Sequence, residues 1–174
     1  MLGPLPEFVD PFRLAGQQTR MNGVVPVAAM TRIAALVRDD SGMVEVALRF
    51  RMSASGVPRA DGRARMTARL TCQRCLDPLD LELAPELKVA FTDGDEAAGK
   101  AELAAGYEPM ECDGRIGLTT IVEDEILLAL PDFPMHQTGR CTAAGAADAS
   151  GADTPDPEDS PFSGLRARLQ QSRT

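Results

Sequence analysis

The sequence predicts an α+β fold: an antiparallel β-meander packed with two main α-helices, followed by a disordered linker and a short C-terminal helix. Three observations predict it. Between Met43 and Phe91 apolar residues recur at every second position in three successive runs, the period of a strand with one buried and one wet face. Two other segments, Pro26 to about Val37 and Leu118 to Leu130, space their apolar residues three and four apart, the helical period. Beyond Cys141 the composition falls to Ala, Gly, Ser, Asp and Pro, which cannot bury enough apolar surface to offset the entropy of ordering. The predicted organisation of the 174 residues is one α+β domain over 1–141, a linker over 142–160 and an amphipathic segment over 161–174. Aromatic residues make up only 4% and Trp is absent, so the core must be aliphatic.

Taken in order, Met1 to Asp10 holds Pro4, Pro6 and two acids rather than a basic start leading into an apolar run, so no secretory signal is expected. No stretch approaches the roughly 18 apolar residues of a membrane helix, and the expectation is a soluble, cytoplasmic chain without a membrane partner. Pro26 suits a first helical turn, and Val27, Met30, Ile33, Ala34 and Val37 form one stripe that ends in the turn cluster Arg38 to Gly42. Val44, Val46, Leu48, Phe50 and Met52 make the first strand, and Ala64, Met66, Ala68, Leu70 and Cys72 the second. A third run sets Leu79, Leu81, Leu83, Leu87, Val89 and Phe91 inward, with Pro85 marking a bulge or an edge. Thr92 to Ala105 is a mobile loop or short surface helix, and Tyr107 to Glu111 a short extended piece before the Asp113-Gly114 turn. In the second helix Thr119 or Thr120 can cap, Glu123, Asp124 and Glu125 sit near the favourable amino-terminal end, and Pro131 stops it. Phe162, Leu165 and Leu169 would stripe the last segment, which docks on the body or folds on a partner.

Charge is segregated along the chain. Met1 to Cys75 carries eleven arginines against six acids, whereas Leu76 to Asp159 carries four basic residues against twenty acidic ones. Pairing of the first two strands gathers Arg49, Arg51, Arg63, Arg65 and Arg69 on the wet face. Two readings stay open: guanidinium forks that contact phosphate or carboxylate of a partner, or arginines that pair with Asp80, Glu82 and Glu86 on the neighbouring strand.

Cys72 and Cys75 fall where two antiparallel strands turn over, and His136 and Cys141 follow the Pro131 and Pro134 corner. Together they supply the four soft donors of a structural zinc site, with Cys112 left over. Alternatives are two unligated thiols that close a hairpin, or a thiol redox pair at Cys72 and Cys75, which would ordinarily sit at a strand-to-helix junction. His136, the one histidine, has no nucleophile at recognisable spacing and there is no Gly-rich phosphate loop, so neither catalysis nor a small-molecule substrate is expected.

Several segments then fall into a familiar order: Leu5-Pro6 with Asp10-Pro11, Cys72-Gln73-Arg74-Cys75, Ala105 to Pro109, Val122 to Pro131, His136 with Cys141, and Ser160-Pro161-Phe162. This arrangement resembles the YceD family of large ribosomal RNA accumulation proteins across nearly the whole chain. The resemblance implies a non-enzymatic role in synthesis, processing or stability of large-subunit (23S) ribosomal RNA but no mechanism; the arginine field adds the expectation of contact with that RNA, and the acidic stretch that of contact with a basic ribosomal protein. It leaves a redox role for Cys72 and Cys75, or a scaffold acting through the C-terminal tail, as rival functions.

Overall fold

A computed structural model describes residues 2–137 and Cys141; the predicted linker over 142–160 and the segment over 161–174 lie outside the described residues. The elements in chain order are β1 (Phe8–Val9), α1 (Pro11–Gly16), β2 (Arg20–Pro26), a 3-10 turn (Val27–Ala29), α2 (Thr31–Leu36), β3 (Met43–Met52), β4 (Pro58–Thr71), β5 (Pro78–Leu83), β6 (Glu86–Thr92), α3 (Glu96–Ala104), β7 (Glu108–Glu111), β8 (Ile116–Gly117) and α4 (Leu118–Ala129). The α+β class holds, and α3 and α4 are the two substantial helices.

The alternating segments fold as their period dictates, because a period of two can bury only one face of a sheet. Val44, Val46, Leu48 and Phe50 of β3, and Ala64, Met66, Ala68 and Leu70 of β4, are buried in one cluster. Helices cover that face with Leu14 and Ala15 of α1, Ile33 of α2, and Leu118, Ile121, Val122 and Ile126 of α4. The core is aliphatic apart from Phe50 and Phe91, whose rings stack with centroids 6.4 Å apart.

The sheet runs β2-β3-β4-β6-β7, with β5 on the outer part of β4. It is more than a meander: β2 adds an edge that the sequence pattern concealed, and β7 pairs with β6 in parallel after the α3 crossover. Strands β5 and β6 continue one another along β4, since Arg63 faces Glu86 and Met66 faces Leu83, three residues on along each strand. Pro85 therefore inserts no bulge. The Ala64 amide donates to its carbonyl at 3.1 Å, but a proline has no N–H to return, and the ladder is interrupted there without a change of register.

The predicted helix from Pro26 to Val37 is broken. Pro26 and Met30 are extended, at ψ 138° and 90°, so a 3-10 turn and the short α2 replace one continuous helix. The stripe was correctly placed even so: Val27, Met30 and Ile33 are all buried. In α4 neither Thr119 nor Thr120 caps; the N-cap is Gly117, without a side-chain cap bond, and the Leu118 amide donates to the Glu7 carbonyl of the segment entering β1 at 2.9 Å.

The acidic triplet is not helix-start electrostatics either. Glu123 lies in the middle of α4, is buried, and accepts from the backbone amides of Arg32 at 2.7 Å and Ile33 at 3.1 Å. These are amides of the first turn of α2, whose own N-cap, Met30, has no side-chain acceptor. The same carboxylate takes Nε and a terminal nitrogen of the Arg32 guanidinium at 3.1 and 3.0 Å. A carboxylate on α4 thus caps α2 and locks the two helices together. Glu123→Ala is expected to destabilise the protein by about 2–3 kcal/mol through loss of the cap and of charge-assisted hydrogen bonds, with Asp124→Ala well under half of that. Urea unfolding followed by far-UV circular dichroism checks both.

Candidate metal centre and basic face

Strand β4 delivers Cys72 to the core side of its end, and the turn into β5 brings the chain back over it. The Leu76 amide donates to the Cys72 carbonyl and the Cys72 amide to the Asp77 carbonyl, both at 2.9 Å. Leu76 sits at φ +63°, a left-handed conformation unusual for a branched aliphatic residue. The second half of the site arrives from α4: the Gln73 amide donates to the Pro134 carbonyl at 2.8 Å, which seats the Pro131–Pro134 corner against the turn.

Cys72, Cys75, His136 and Cys141 converge so that their donor atoms lie within 4.8 Å of one another. The Cys72 and Cys141 sulfurs are 3.6 Å apart, and His136 Nδ1 is 3.4 Å from Cys75 Sγ and 3.7 Å from Cys141 Sγ. A tetrahedral zinc with ordinary bond lengths needs edges of about 3.8 Å between sulfurs and about 3.6 Å from sulfur to nitrogen. The cluster could bind a metal such as zinc. His136 Nε2 lies 3.1 Å from the Pro78 carbonyl; a proton on that nitrogen leaves the Nδ1 lone pair for the ion and fixes the ring.

Burial pushes the Cys72 thiol up, but the amides of Cys75, His136 and Arg74 converge on the sulfur and outweigh burial, bringing it down to about 5. At Cys75 the Asp77 amide favours the thiolate, yet burial and the neighbouring Cys72 and Cys141 sulfurs push the thiol up to about 11. One thiolate forms readily and the next is opposed by its neighbours, a conflict that a divalent cation removes. Arg74 stands beside them with Nε 3.0 Å from Cys141 Sγ. Three thiolates and a neutral imidazole around a dication carry one net negative charge, which that guanidinium offsets. Cys112 belongs to the hydrophobic core instead.

The five predicted arginines do share the polar face, and the structure divides them. Arg51 forms a fork with Asp61 at 2.6 and 3.1 Å, and Tyr107 donates to the same carboxylate at 2.6 Å. Arg69 meets Asp80 at 2.9 Å and Arg65 meets Glu82 at 3.4 Å, so the neighbouring-strand pairing holds for these two; Glu86 instead takes Lys88. Among the described residues no carboxylate pairs with Arg49 or Arg63. Sequence reasoning missed Arg59, which begins β4 earlier than the alternation showed; it pairs with Glu102 of α3, only 2% exposed, and lies over the Tyr107 ring at 4.2 Å. The face is therefore not wholly wet, since α3 and Tyr107 cover its Arg51 and Arg59 end. Arg20 and Arg74 were missed as well; Gly23 breaks the alternation of β2, and Arg74 is informative only beside the folded sulfurs.

A family model described as large ribosomal RNA subunit accumulation protein YceD matches residues 60–167. A protein of that description from Haemophilus influenzae is 31% identical over 140 residues, covering 79% of each chain. No solved structure matches. Among the described residues no helix is long and apolar enough to cross a membrane.

Titration with Co2+ as a spectroscopic stand-in for zinc is expected to saturate at one equivalent with a thiolate charge-transfer band; Cys72→Ser or His136→Ala weakens it at least tenfold, and Cys112→Ser leaves it unchanged. The paired arginine end yields a pH prediction. Burial raises the Asp61 carboxyl, but Arg51 and the Tyr107 hydroxyl outweigh it and hold it below the ordinary 3.8. Its contribution to stability is full above that value and is lost as pH falls through the lower folded one. Asp61→Asn should lower stability at pH 7 and flatten its fall below about pH 4, as read from thermal unfolding across pH.

Proposed function

The chain belongs to the YceD family of large ribosomal RNA subunit accumulation proteins, and from that premise we propose a non-enzymatic, cytoplasmic ribosome biogenesis factor. It supports the synthesis, processing or stability of large-subunit (23S) ribosomal RNA by contacting that RNA. The observation that carries the contact is the polar face of β2, β3 and β4, where arginines stand without carboxylate partners among the described residues. Phosphate is the partner such guanidinium forks suit.

The cysteine cluster in this reading holds one structural zinc that ties the β4–β5 turn to the chain leaving α4. The non-enzymatic assignment draws on the same cluster: the lone histidine and three of the four thiols are gathered into one candidate ligand set. A redox role for Cys72 and Cys75 competes for the same atoms, and a finding of stoichiometric zinc that blocks alkylation of both would decide against it.

A basic ribosomal protein is the second candidate partner, favoured by one feature. Glu108, Asp124 and Glu125 line a depression beside β7 and α4, and burial, then Glu108 and Asp124, push the Glu125 carboxyl up. Arg32 also lines it and already pairs with Asp124 at 2.6 Å, so Glu108 and Glu125 are the carboxylates that would suit a lysine or arginine of the partner.

Cells depleted of the protein are expected to lose large-subunit ribosomal RNA relative to small-subunit RNA, measured by sedimentation of extracts and RNA quantification. Unchanged subunit ratios after depletion would refute the reading. Raising salt should release the protein from large-subunit precursors steeply if phosphate contacts hold it.

A further inference from the structure

The geometry points to a defined site for the phosphodiester backbone of duplex RNA, formed by Arg20, Arg49 and Arg63 with Asn22 around a floor at Gly62. The inference rests on the RNA-contact reading above and narrows it to one groove. Strand β2 places Arg20 directly opposite Arg49, and like charges facing across an antiparallel pair weaken it. Arg51, Arg59, Arg65 and Arg69 each meet a carboxylate; among the described residues Arg20, Arg49 and Arg63 do not. Asp61 lies opposite Arg49 and Glu86 opposite Arg63 in register, but both carboxylates are drawn to other cations, so the groove gathers three guanidiniums that an added anion would join.

They border an open depression of about 320 Å³. Gly62 lies in its floor, where β3 and β4 approach so closely that a Cβ would come 2.0 Å from the Ala47 carbonyl oxygen. The carboxylates at its rim are engaged elsewhere, Asp61 by Arg51 and Tyr107 and Glu86 by Lys88. Among the described residues no aromatic side chain lines it, so unstacked bases find no platform there and the backbone of a duplex is the part of RNA it fits.

The test is binding of the full-length protein to a fluorescent RNA duplex of about 20 base pairs and to a single strand of equal length, by anisotropy over a salt series. The wild type should favour the duplex. In R20Q/R49Q/R63Q the slope of log affinity against log salt should fall by about three, one per lost phosphate contact, with affinity at low salt at least about tenfold weaker. The charge-matched R13Q/R38Q/R115Q, away from the groove, should keep the wild-type slope. Removal of the facing charges should leave the thermal midpoint of the first triple variant unchanged or raised, which separates lost contact from lost folding, and R49K/R63K should retain most of the slope. A wild-type slope in the groove variant, equal loss in the charge-matched one, tighter binding of the single strand, or no duplex binding by the wild type would each overturn the site. If the groove variant restores large-subunit RNA in depleted cells as well as the wild type does, the groove falls while the accumulation role stands; failure of depletion to change subunit ratios removes the role itself.

Discussion

Helix α2 starts at Thr31 with no side chain of its own to accept its first amide protons, and the deficit is met from 91 residues away by Glu123. A buried carboxylate must be fully engaged to be tolerated, and Glu123 is: two amides and the Arg32 guanidinium share its two oxygens. This contact orients α4 against α2, so Ile121, Val122 and Ile126 meet the core beside Ile33. The placement of α4 in turn decides where the chain goes after Leu130. It runs past the Pro134 carbonyl, hydrogen-bonded to Gln73, and delivers His136 to the cysteines. The helix clasp and the candidate metal centre are two ends of one mechanical connection.

Strand β4 supplies the other half of that connection. Its amino-terminal half lies between β3 and β6 in the body of the sheet, and its outer half pairs only with β5 among the strands. A two-stranded ribbon has little independent stability, which gives a reason for cross-linking its tip. The cluster that could hold a metal sits there, and Arg74 from the same turn stands 3.0 Å from the Cys141 sulfur. Along β4 the polar residues are divided by their neighbours: near Arg59 and Asp61 they are absorbed by α3 and Tyr107, near Arg65 and Arg69 by β5, and between them Arg63 opens toward Arg49 and Arg20.

Much of this was legible in the chain because period and residue type are local properties. The alternation from Val44 to Phe91 fixed which residues of β3 to β6 face inward, and the buried set agrees except at the ends, where Met52 is exposed and Leu79 and Leu81 are half-buried. The spacing of Cys72, Cys75, His136 and Cys141 was enough to nominate a ligand set, since soft donors in two pairs have few other uses in a small domain. Pro131 ended the last helix as a missing amide requires. Where local signals were weak, reading failed: β2 carries Gly23 within its alternation, and a stripe of period near four did not reveal that Pro26 and Met30 would be extended.

The sequence by itself determined the α+β class, the inward faces, the candidate ligands and the presence of an arginine-rich polar face. Tertiary structure alone decided how each charge is used. Glu123 and Glu102 look alike in sequence to any solvated acid, and they are buried because Arg32 and Arg59 reach them from other elements. Arg49 and Arg51 are two residues apart and chemically identical, yet Asp61, in register with Arg49, gives its carboxylate to Arg51 and Tyr107, while Arg49 also faces Arg20. Pairing of charges depends on strand register and on which helix crosses which face, and those are properties of contacts between residues distant along the chain.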